Sequence, residues 1–125
     1  MTGLLASAAA LLLAAQPAAP ATPSSEAPQL TLEQTTGLRC GVAFAIVAQQ
    51  QQAGERAALA YPAMNPRGRE FFVRFMAGLM EDPRFSRDFV TGLAMRETQE
   101  LTRGGPEALS AVMPACLQLL ELSGV

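Results

Sequence analysis

Arg96, Glu97 and Glu100 are the residues whose types and spacing come closest to chemistry in this chain of 125 residues. Two neighbouring carboxylates can divide acid and base work across a bond in the manner of a glycosidase, and positions three apart on a helix lie on adjacent turns. Counted round a helical wheel from Phe85, Phe89 and Leu93, the three polar residues continue a face that earlier turns give to apolar side chains. The plainer reading is a helix that outruns its core, with Arg96 and Glu100 paired i to i+4 in solvent for roughly a few tenths of a kcal/mol.

Composition removes most other machinery. The chain has no histidine, and its nine basic residues are all arginine. That excludes Ser-His-Asp and Cys-His nucleophiles, histidine bases, H-E-x-x-H zinc sites and lysine Schiff bases. Neither phosphate-binding glycine loop, G-x-x-x-x-G-K-[ST] or G-x-G-x-x-G, occurs. No cofactor and no metal is expected, and the protein reads as a non-enzyme, with a carboxylate hydrolase using Glu97 and Glu100 as the lesser alternative.

Cys40 and Cys116 are the only cysteines. A redox pair is typically spaced C-x-x-C, and two thiols without histidine make a poor zinc site. Each lies among apolar residues that would face a core, so in an oxidising compartment they are expected to form one disulfide. For a loop of about 75 residues the chain-entropy relation gives at most about 4 to 5 kcal/mol, comparable to the whole stability of a small domain.

The N-terminus points to such a compartment. Leu4 to Ala15 is an uncharged, largely apolar run of signal-peptide length, too short for the ~20 residues of a spanning helix. Ala19-Pro20-Ala21 supplies the small residues a signal peptidase reads, with Leu13-Ala14-Ala15 as an earlier alternative; an Ala-rich cytosolic tail or an uncleaved anchor are the other readings. The expected organisation is a signal peptide over 1–21, a Pro/Ala/Ser-rich linker over 22–30 and a helical domain over 31–125, periplasmic or secreted, with no membrane span after cleavage. Eleven acidic residues against nine arginines give a net charge of −2 without runs of like charge, so nucleic-acid binding is not expected.

The domain that must position these residues reads as all-α, a single small bundle of four to five short helices stapled by one disulfide. The first helix starts at Leu32 or Leu38 and ends at Gln52; its centre, from Cys40 to Ala48, is apolar on every side and therefore buried. The second opens at Asn65-Pro66 and runs to about Met80. The third opens in the same way at Asp82-Pro83 and ends near Arg103, where Gly104-Gly105 supply a cap. The fourth runs from Pro106 towards Gly124, with a kink expected at Pro114. Surface pairing is expected between Glu70 and Arg67 or Arg74, and between Arg84 and Asp88.

Five of the six phenylalanines, Phe71, Phe72, Phe75, Phe85 and Phe89, lie across the second and third helices with Met76 and Met80. The first expectation is that they form the main core between those helices. The apolar arc of the second helix, with Val73 and Met80 at its edge, sweeps roughly 200°, twice what one core contact needs. Part of the cluster is therefore a candidate groove for an apolar client or an envelope protein.

One cysteine near the start of the first helix and another late, in Met113-Pro114-Ala115-Cys116, is a layout that resembles the HdeA-type periplasmic acid-stress chaperones. The resemblance implies a chaperone-like role and carries over no functional residue. The Ala-, Arg-, Gly- and Pro-rich composition resembles small secreted proteins of GC-rich bacteria, which implies no activity. The function expected is binding or structural association outside the cytoplasm; a chaperone-like, immunity or inhibitor protein is the alternative.

Overall fold

The computed structural model describes residues 27–125, so the expected leader and the start of the linker lie outside the described residues. Those residues form α1 (Leu32–Gln52), α2 (Arg56–Leu59), α3 (Arg67–Met80) and α4 (Arg87–Leu122), with no strand among them. No helix among them is long and apolar enough to cross a membrane.

α1 begins at a capping box in which Thr31 accepts from the Gln34 backbone N–H and the Gln34 side chain accepts from that of Thr31. Its apolar centre is enclosed as its composition requires, with Val42, Ala43, Phe44 and Val47 out of contact with water. α3 and α4 both pack chiefly on α1 and touch each other less. The α1–α3 approach depends on small residues. Gly37 and Gly41, one turn apart, face the rings of Phe75 and Phe72, while Gly68 on α3 accommodates Phe44 and Met64. The Cys40–Cys116 disulfide forms, tying α1 to the end of α4 across 76 positions with both residues buried.

The main core gathers around α1, where Leu38, Phe44 and Val47 meet Phe71 of α3 and Leu101, Met113 and Leu120 of α4. A smaller core of Leu79, Phe85 and Val90 closes the passage from α3 to α4. This corrects the expectation of a main core made by the phenylalanines between those two helices. Phe71 enters the main core and Phe85 the small one, whereas Phe72, Phe75 and Phe89 are half-buried. The reason is α1: apolar all round, it takes the larger share of both neighbours.

Several helix ends differ from expectation. Pro66, not Asn65, is the N-cap of α3, because the carbonyls of Met64 and Pro66 receive the first-turn donors and buried Met64 fixes the entry. The Asp82-Pro83 pair does not open α4. The Asp82 carboxylate accepts from the Arg84 backbone N–H in a local turn, a competitor to helix, and Ser86 caps Phe89 instead. At Gly105 (φ 67°, ψ −163°) α4 leaves helical geometry and resumes at Pro106, so the expected break is there. At Pro114 the neighbouring residues keep helical dihedrals, so the helix is not interrupted there, and with Pro114 and Ser110 both exposed, water can serve the carbonyl that the proline leaves unpaired.

Residues 53–64, which carry no sequence signal for an element, include the single turn α2. Gln51 organises them. Its amide donates to the carbonyls of Ala58 (3.0 Å), Tyr61 (3.3 Å) and Pro62 (2.9 Å) and accepts from the Met64 N–H (2.9 Å).

Candidate apolar groove and the Arg39 carboxylate clamp

Between α3 and the first half of α4 lies a groove of about 640 Å³. Half-buried Phe72 and Met76 from α3, with Val90 and Ala94 from α4, form its inner wall. Its edges carry Val73 and Met80 from α3 and Met95 from α4, which are 63%, 38% and 59% exposed. The wide arc of α3 explains the groove. α1 covers the side bearing Phe71 and Phe75, and opposite the rest of the arc α4 presents Thr91 and Ala94, too small to fill the gap.

Phe72, Val73, Met76 and Met80 of the sequence-derived set therefore line the groove. The others do not. Phe71 stacks on Phe75 at 6.1 Å and meets Phe44 edge-on at 5.3 Å, while Phe85 and Phe89 stack on each other at 5.6 Å beside the small core. Sequence reasoning missed the α4 wall. Arg87, Thr91, Ala94, Met95 and Thr98 recur at helical spacing, but the face they make is mixed and its only signal is the period itself.

Of the lining residues only Arg87 carries a charge. It is the first residue of α4 and is exposed; Thr98 and Gln99 mark the other end.

Glu97 and Glu100 are held elsewhere. Arg39 on α1 donates from Nε to Glu97 Oε1, and a terminal nitrogen lies 4.0 Å from Glu100 Oε2. Glu97, at 8% exposure, is the one buried charged residue among those described. The expected Arg96–Glu100 pair does not form, and the helix has not outrun its core at this point: the turn bearing Glu97 packs on α1, and Arg39 is the cation that reaches it. The hydrogen bond to Glu97, then its charge, raises the Arg39 guanidinium above its ordinary value. Neither carboxylate lines the groove. Other pairings also differ from expectation. Arg74 meets Glu70 as expected on one helix, but Arg67 reaches Glu121 at the far end of the chain and Arg84 turns back to Asp82. Compared with known protein families, curated proteins and solved structures, the chain matches none.

Proposed function

We propose that the protein acts outside the cytoplasm as a non-catalytic binding protein that takes an apolar client into the α3–α4 groove. The observation that carries this reading is the convergence of exposed Val73, Met80 and Met95 on a single cavity with an apolar inner wall. Burying a side chain of this size is worth about 1.5–3 kcal/mol, so three left open around one groove are a reserve that a ligand can use. Ligand pockets typically span about 300–1,000 Å³ and are mainly apolar with a few polar groups, a description this groove meets. Methionines on the wall and edge suit a client of variable shape. The buried disulfide supports an oxidising compartment, and the apolar run ahead of the domain supports export with cleavage of the leader.

The test is a titration of the oxidised protein with an environment-sensitive apolar dye. Saturable binding is expected for the wild type and its loss in Val73→Asp combined with Met95→Glu, with far-ultraviolet circular dichroism unchanged. Equal dye binding by the variant, or none by the wild type, would sink the reading.

A further inference from the structure

We infer that the groove takes a single-chain carboxylate amphiphile, a long-chain fatty acid, with its chain along the apolar wall and its head group on Arg87; this rests on the groove being a ligand site.

The charge pattern selects the head group. Arg56, Arg69, Arg87, Arg96 and Arg103 have no carboxylate partner among the described residues, and of these Arg87 alone lines the groove, with no acidic residue sharing it. An arginine side chain presents a fork of donors that matches a carboxylate in two parallel bonds. Arg87 is exposed, so an anion placed there keeps part of its hydration while its chain leaves water. One unpaired cation matches one negative charge.

Size selects the tail. From Arg87 to Gln99 the α4 wall rises about 18 Å at 1.5 Å per residue, which suits an extended chain lying along the helix.

The experiment compares three sixteen-carbon probes below their aggregation limits, at low ionic strength, on the full chain in its oxidised form: palmitate, its methyl ester and the trimethylammonium surfactant. Palmitate is expected to bind at one site and about fivefold or more tighter than the ester, with the cation weakest. Arg87→Gln should abolish the preference for palmitate, bringing its affinity down to that of the ester, while Arg96→Gln, outside the groove, should leave the preference intact. Equal affinity for acid and ester, or a preference that survives in Arg87→Gln, overturns the head-group assignment and leaves the groove standing. Binding of none of the three overturns both. Dimerisation that is lost in Val73→Asp would assign the groove to a second copy and overturn the fatty acid.

Discussion

Arg39 and Glu97 join α1 to α4 through an ion pair in which the arginine side chain is 44% exposed and the glutamate side chain only 11%. Removing the two partners should therefore have unequal consequences. Arg39→Ala leaves a buried carboxylate with no partner and is expected to cost about 1–3 kcal/mol in denaturant unfolding. Adding Glu97→Leu to it should recover most of that loss, because no charge then remains to be desolvated. A double variant as unstable as the single one would show that the pair does not set the energetics of this contact.

Gly37 lies so near Phe75 that a β-carbon would overlap the ring. Gly37→Ala gains helix propensity of about 1 kcal/mol but forces the ring away from α1, so a net loss of roughly 1–3 kcal/mol is expected. Gly78, also helical, has open space where its β-carbon would go. Gly78→Ala should raise stability by about 0.5–1 kcal/mol. Thermal unfolding of the two variants side by side checks both signs.

Cys40 and Cys116 are both buried, so reduction should be slow until the protein opens. The double variant Cys40→Ala with Cys116→Ala is expected to lose about 2–5 kcal/mol relative to the oxidised wild type. A wild type that is as stable after reduction in the unfolded state and refolding with its thiols free as it is when oxidised would contradict a structural role for the bond.

Gln51 gathers three carbonyls and one N–H of the loop that leads into α3. Gln51→Ala should leave α1 helical while raising hydrogen exchange and limited proteolysis across residues 53–64, with a global cost of about 1–3 kcal/mol. Gln52→Ala, whose side chain is exposed, is the comparison and should be nearly silent.

The Arg84 side chain, with help from its backbone N–H, holds the Asp82 carboxyl below its ordinary value. A depressed folded-state value means that this group adds stability above about pH 3.9, the ordinary Asp value, and loses that contribution as pH falls through the lowered one. Nuclear magnetic resonance titration should show Asp82 with a midpoint below that of a free peptide in the wild type and close to it in Arg84→Gln.

Much of the helical architecture was legible because its signals are local. Gly104-Gly105 and Pro106 mark the break in α4, and the apolar run from Cys40 to Ala48 declares a buried helix without reference to anything else; the Thr31–Gln34 capping box, equally local, was not read, which left the start of α1 open between Leu32 and Leu38. The two cysteines pair with each other because each had one possible intramolecular partner. Local rules failed where a competing partner was also local, as when Asp82 chose the Arg84 N–H over a helix start.

The identity of distant partners belonged to the tertiary structure. Arg39 with Glu97, Arg67 with Glu121 and Gln51 with the Met64 loop each depend on how helices are rotated and how closely they cross. The same holds for which of Phe71, Phe72 and Val73 is enclosed. Sequence alone gives an apolar arc on α3 too wide for one neighbour; the approach of α1 at Gly37 and Gly41 and the small Thr91 and Ala94 opposite decide which part stays open. Backbone signals act over a few residues, whereas a groove is the space left after three helices have settled, and that space is a property of their packing.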